Sequence, residues 1–506
     1  MTPKRILLIL LTALAFTFIG ADLLASLNKP QFQSRLGLYE ADLRLHVSEW
    51  QGDGDAGAVK KLLQDKPPIL TALDEYKEVR DQAGKSLAQS LSQVAKLRQA
   101  EQKPAILSEI ETQKAAIAQQ EKAMDELDLR IGLLQAELPK QRGLSLQTWA
   151  PLLEKPNATG KAAQALTQLW SPEQSQIPSA QSIEQGLDGW FRYRALARLY
   201  ERQKDEKALA LLKSNEQEIA ETALTKIGLT GALSIGSIGL GSLTALGLLG
   251  QFAVKRKESI LSGINNVRWP VPWNAEVLWQ VIIVGFFLVG QVVMPVLFGT
   301  ALAALNLNPT TMTERGRAFY ILCNYLGLAG GGLTVLYFSI RSYFPLTEEW
   351  FNVNAKGRWF LWSFGGFLVA FPIVILVTLA NQQIWQGNGG SNPILPFILQ
   401  SKDPASLVLF FLTAAIAAPF FEETLFRGFI LPSLTRYMPT WGAILASSLL
   451  FAVVHLSLSE VAPLTALGIV LGFSYVKTRN LLVPMVLHGL WNASTLVSLF
   501  ILGRGI

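Results

Sequence analysis

Six polar side chains stand where a chain like this should be apolar. Glu422, Glu423 and Arg427 lie in one long apolar run, His455 in the run after it, and His488 with Asn492 in the last. An ionisable group at the centre of a bilayer is penalised by about 2.5–3.5 kcal/mol on insertion scales. Acid, imidazole and amide gathered despite that penalty are side-chain types that acid–base chemistry uses, and their clustering points to a functional site. Spacing sharpens the reading. Glu423 and Arg427 are four residues apart, acid first, which favours an ion pair along a helix. Glu422 then points about 100° away and stays available for chemistry. His488 and Asn492 share a face by the same four-residue rule. If one helix ends near Tyr437 and the next starts near Trp441, Glu422 and His455 stand at similar heights, about 20 Å from the turn, and can face each other.

Helices in lipid must position these groups, and the composition says which. Half of the 506 residues are hydrophobic and 16% are charged, an average over two unlike regions. Residues 227–506 are mostly apolar runs of the roughly 20 residues that span a bilayer. Spans are expected at about 227–254, 277–302, 318–340, 359–380, 406–432, 441–457, 461–476 and 482–502. One more is expected at the N-terminus, where Lys4-Arg5 precede an apolar stretch from Ile6 to about Ala21. Asp22 follows too closely for a good cleavage site, so an uncleaved signal anchor is favoured over a signal peptide. With the N-terminus cytoplasmic, Lys4, Arg5, Lys255, Arg256, Lys257, Arg268, Arg341, Lys356, Arg358, Arg436, Lys477 and Arg479 flank cytoplasmic ends. Arg315, Arg317, Lys402 and Arg504 lie outside, a bias that fits the positive-inside rule. The Gly-rich span from Gly228 to Gly250 suggests close helix packing. Cys323, the single cysteine, reads as a small buried hydrophobe and excludes a disulfide framework. The net charge of +6 belongs to membrane topology, since no basic patch interleaved with aromatics suggests nucleic acid.

Residues 26–226 are polar and rich in Gln, Ala, Lys and Glu. Residues 60–145 read as two long helices interrupted at Lys103-Pro104, hence an antiparallel hairpin. Past Pro151, Pro156 and Pro172 the helices shorten, and Trp190–Gln203 with Glu206–Ile219 resembles one helix–turn–helix unit. His46 has no partner at metal spacing and is expected at the surface. The fold is therefore expected to be all-α: a polytopic membrane helical bundle of about eight helices plus an N-terminal anchor, with an extramembrane α-helical or coiled-coil domain. The domain boundaries are 1–25, 26–226 and 227–506.

Glu422-Glu423-x-x-x-Arg427, Phe451-x-x-x-His455 and His488-x-x-x-Asn492 resemble, in identity and order, the three motifs of the CPBP intramembrane glutamic endopeptidases. That family includes the type II CAAX prenyl endopeptidases and bacteriocin-processing proteins. The motifs cover roughly residues 400–500; residues 1–226 match nothing in the family's core. The resemblance implies an endopeptidase in which Glu422 and His455 activate water, His488 and Asn492 hold the oxyanion, and Glu423, Arg427 and Phe451 support them, without a metal or other cofactor. Membrane-protein or lipidated-peptide substrates in the bilayer follow from it, together with a multi-pass location in a bacterial plasma membrane, or else a thylakoid or plastid membrane. A protein partner is expected to meet residues 26–226. Two other readings stand beside this one. One Glu and two His also make a zinc set, although the His-Glu-x-x-His spacing of zinc peptidases is missing. Alternatively, the chain is a membrane scaffold or assembly factor that works through its helical domain.

Overall fold

The computed structural model describes residues 2–27, 29, 31–52, 67–99, 104–171, 177–265, 267–308, 312–385, 387–392 and 394–503. Its principal elements are helices: α1 Pro3–Ser26, α2 Phe32–Glu49, α3 Pro68–Gln99, α4 Pro104–Glu137, α5 Arg142–Trp149, α6 Ala158–Trp170, α7 Ala180–Gly186, α8 Gly189–Gln203, α9 Glu206–Lys255, α10 Ala275–Ala304, α11 Glu314–Ile340, α12 Trp359–Trp385, α13 Leu395–Gln400, α14 Pro404–Leu434, α15 Thr440–Val453, α16 Leu458–Thr478 and α17 Leu482–Gly503. They form two compact units, Lys29–Gly231 and Met1–Asn28 with Ala232–Gly505.

In the polar unit, α3 and α4 run antiparallel. Arg80 pairs with Asp128 at 2.9 Å and Ser86 with Gln120 at 3.3 Å, so numbers rise on one helix as they fall on the other. Lys103, at the interruption expected from the sequence, lies outside the described residues, as does Pro172. The core beside the hairpin is aromatic, with Tyr76, Trp149, Trp190 and Phe191 almost wholly buried. His46 is a correction to the sequence reading. It is 3% exposed, and its Nδ1 lies 2.6 Å from Oε1 of Glu216, itself 2% exposed. The fold brings together groups 170 residues apart, which local spacing cannot show. The helix–turn–helix unit is also revised. Its second helix does not stop at Ile219 but continues to Lys255, making α9 50 residues long in all. No proline interrupts that stretch, and the helix keeps every peptide group hydrogen-bonded through its apolar half.

The second unit is a bundle of apolar helices, and the chain is a multi-pass membrane protein. Among the described residues, eight helices are long and apolar enough to cross a bilayer. α15 is shorter, at 14 residues. Its length of about 21 Å falls short of a hydrocarbon core of about 30 Å. The span expected at 441–457 is thus too short, by length, for a full crossing. α1 lies along the bundle: Trp279 Nε1 donates to Thr12 at 2.8 Å, and the amide of Leu458 donates to Ser26. The expectation of close packing along the Gly-rich span holds at Gly241, where an added Cβ would lie 2.1 Å from the Leu368 carbonyl. Gly228, Gly231, Gly236, Gly239, Gly247 and Gly250 border open space. Cys323 is partly exposed rather than buried.

Three segments of this bundle widen from the α-register to i→i+5 hydrogen bonding: Val281–Val293, Leu412–Ala417 and Thr424–Ile430. Each stops immediately before an X-Pro pair, at Met294-Pro295, Ala418-Pro419 and Leu431-Pro432. Proline lacks the N–H that would continue the ladder, and its ring crowds the carbonyl four residues back. Widening the preceding turn relieves that clash. Two of these segments bracket Glu422 and Glu423.

Candidate active site

α14, α15 and α17 each supply part of the cluster. Glu423 and Arg427, both 0% exposed, form a buried ion pair with Nη1 2.9 Å from Oε1. Arg427 also donates from Nη2 to the carbonyl of Gly468 at 3.2 Å, and its guanidinium lies 4.6 Å over the ring of Phe451. A charge this deep is tolerated only when paired and hydrogen-bonded. The same Glu423 Oε1 lies 2.9 Å from Nδ1 of His488. A carboxylate held beside a guanidinium accepts, so Nδ1 is the donor and Nε2 is the end the buried pair leaves free. That Nε2 faces Oε2 of Glu422 at 3.9 Å. The separation is too long for a direct hydrogen bond and short enough for one water to reach both atoms. Glu422 Oε1 accepts from the Tyr325 hydroxyl at 2.9 Å. One imidazole thus stands between two adjacent glutamates, its inner nitrogen on the buried pair and its outer nitrogen toward the partly open one.

Phe451 joins the remaining residues. Its ring centroid lies 5.0 Å from the ring of His455 and 5.7 Å from that of His488. His455 itself falls just past the end of α15, whereas the sequence reading kept it on the helix. The helix stops at Val453, and Leu456 turns into the left-handed region with φ 57°. The amide of His455 bonds to Ala452, leaving the Phe451 carbonyl without its helical partner. The His455 side chain takes that carbonyl at 2.7 Å through Nδ1. A carbonyl only accepts, so Nδ1 is the protonated nitrogen here too. The structure gives Glu422 the partners Tyr325 and His488, where the sequence suggested His455.

Asn492 has a structural task that its spacing does not reveal. In the widened segment, the Ala414 carbonyl would accept from residue 419, which is proline. Asn492 Nδ2 donates to that carbonyl instead, at 2.7 Å. One of its two amide hydrogens is thereby used, and the other remains available. Gly489 permits the approach of α17, since a Cβ there would lie 2.8 Å from the Ala415 carbonyl.

Sequence reasoning missed Tyr325 and Gly489. A tyrosine in an aromatic-rich span gives little signal, whereas His488-Gly489 on the polar face of α17 was a usable hint. Among the described residues, no three His, Cys, Asp or Glu side chains form a metal-binding group. Glu423 Oε1 and His488 Nδ1 already engage each other, which leaves neither atom open to a cation.

Residues 404–494 match a family model described as type II CAAX prenyl endopeptidase Rce1-like. Three curated proteins are similar to part of the chain. A putative membrane peptidase, YdiL, of Bacillus subtilis is 26% identical over 28% of this chain and 58% of its own length. An uncharacterized 24.3 kDa protein of Escherichia coli is 35% identical over 22% and 52%. The membrane-embedded CAAX protease MroQ of Staphylococcus aureus is 27% identical over 27% and 56%. The chain spans little more than half the length of the curated relatives it matches. No solved structure matches.

Proposed function

We propose that the protein is a membrane endopeptidase of the CPBP type using Glu422 as general base, a reading supported by the family match over residues 404–494. The observation that carries the reading is His488, held at Nδ1 by Glu423 and facing Glu422 through Nε2 at 3.9 Å. A water between Glu422 Oε2 and His488 Nε2 attacks the peptide carbonyl, and Glu422 takes its proton. The tetrahedral oxyanion collects the free N–H of Asn492. His455 keeps Nε2 for the substrate or a second water. The C–N bond breaks as Glu422 returns the proton to the departing amine. Glu423 and Arg427 orient His488 and do not touch the substrate. The route needs no metal.

Its substrates are membrane-associated proteins or lipidated peptides within the bilayer, and the compartment is a bacterial plasma membrane with the N-terminus cytoplasmic. Bacterial relatives and the Lys/Arg bias of the loops support this placement. The helical domain of residues 26–226 would bind a substrate or partner. The test compares protein termini in the membranes of wild-type and Glu422→Gln cells by mass spectrometry, with the variant at normal abundance. The expected result is a defined set of termini missing from the variant. Identical termini would count against the proposal.

A further inference from the structure

Tyr325 stands on α11, outside every motif in the sequence, yet its hydroxyl is the group that touches the proposed base. It donates to Glu422 Oε1 at 2.9 Å, and its ring meets the Phe421 ring edge-on at 6.3 Å. Phe421 is 1% exposed, so the residue next to Glu422 gives the tyrosine a fixed seat. We propose that Tyr325 is a positioning residue for Glu422: it engages one carboxylate oxygen and thereby turns the other toward His488 and the attacking water. This inference rests on the peptidase reading.

The argument is geometric. A glutamate side chain has three rotatable bonds, and an oxygen in a polar cavity has several places to go. Glu422 retains 15% side-chain exposure, in contrast to the fully buried Glu423. Lattice-like packing therefore does not hold it. With Oε1 engaged by a hydroxyl from a different helix, Oε2 is left 3.9 Å from His488 Nε2, the gap a water needs. Positioning of this kind lowers the barrier by ordering the base before the substrate arrives.

Tyr325→Phe removes the hydroxyl and keeps the ring against Phe421. Losing one hydrogen bond to a charged group predicts a rate lower by about ten- to hundredfold. The measurement is the rate, per folded molecule, at which pulse-labelled cells produce the termini that Glu422→Gln abolishes. A synthetic peptide spanning one such junction, placed with the purified full chain in lipid vesicles, separates kcat from KM. Positioning predicts a fall in kcat with KM unchanged, and no further loss when Tyr325→Phe is added to Glu422→Gln. A merely structural tyrosine would lower the amount of folded protein and leave the rate per folded molecule intact. If Tyr325→Phe is poorly folded, 4-fluorophenylalanine at this position fills the ring and the hydroxyl's space but donates no hydrogen bond; an unchanged kcat per folded molecule overturns the inference. Wild-type kcat in Tyr325→Phe alongside an inactive Glu422→Gln also sinks it while sparing the peptidase reading. Termini unaffected by Glu422→Gln would remove the reading itself.

Discussion

Neutralising the buried pair beneath His488 tests the division of labour between the two glutamates. Glu423 Oε1 receives both Arg427 and His488 at 2.9 Å, and neither Glu423 nor Arg427 is exposed. Glu423→Gln leaves the guanidinium without its counter-charge, and Arg427→Met does the same to the carboxylate. Breaking a buried pair from one side is expected to destabilise by about 3–5 kcal/mol. The double variant Glu423→Gln/Arg427→Met buries no charge, so it should be destabilised by less than the sum of the two singles, with a coupling of about 2 kcal/mol or more. Catalysis should not recover with stability. The His488 Nδ1 bond to a charged acceptor, worth about 1.5–3 kcal/mol, becomes one to a neutral amide worth about 0.5–1.5. A loss near 1–1.5 kcal/mol corresponds to roughly a tenfold lower rate. Thermal unfolding in detergent gives the first quantity, and turnover of a junction peptide per folded molecule the second. Additive destabilisation together with wild-type turnover in the double variant would refute the reasoning.

Other expectations follow from single contacts. Gly489→Ala places a Cβ against the Ala415 carbonyl and should lower turnover at least tenfold by moving α17, while Gly236→Ala, in open space, should leave it unchanged. In the polar unit, burial pushes Asp42 up to about 6 and Glu75 up to about 7. For an acid raised on folding, the native state binds more protons than the unfolded one between the ordinary and raised values, so stability falls as pH rises through that window. Amide exchange of residues 32–49 and 68–99, corrected for intrinsic rate, should accordingly be slower at pH 5 than at pH 8; the opposite order would show the burial argument to be wrong. Saturating EDTA should leave junction-peptide turnover unchanged, and a loss restored by zinc would favour the metal-dependent reading.

The all-α membrane architecture was legible because lipid forces backbone groups into helices and tolerates so few charges that the exceptions stand out. Glu423 and Arg427 could be paired from spacing because four residues return to one helical face in any sequence. What stayed hidden depends on where helices end and widen. Pro419 removes the donor for the Ala414 carbonyl, and only the folded bundle shows that Asn492 supplies the replacement. The end of α15 falls two residues before His455, so the height comparison placed that ring on a helix it does not extend. Tyr325 and the His46–Glu216 contact depend on packing between distant segments, which spacing along one helix does not encode.

Hydrolysis of a junction peptide by purified wild-type protein and Glu422→Gln, reconstituted in the same vesicles at equal folded amounts, tests the central chemistry most directly. If Glu422 takes the proton from the attacking water, the amide variant should lose at least about 10²-fold in kcat, as expected when a positioned general base is removed. Turnover by Glu422→Gln at the wild-type rate would contradict the account.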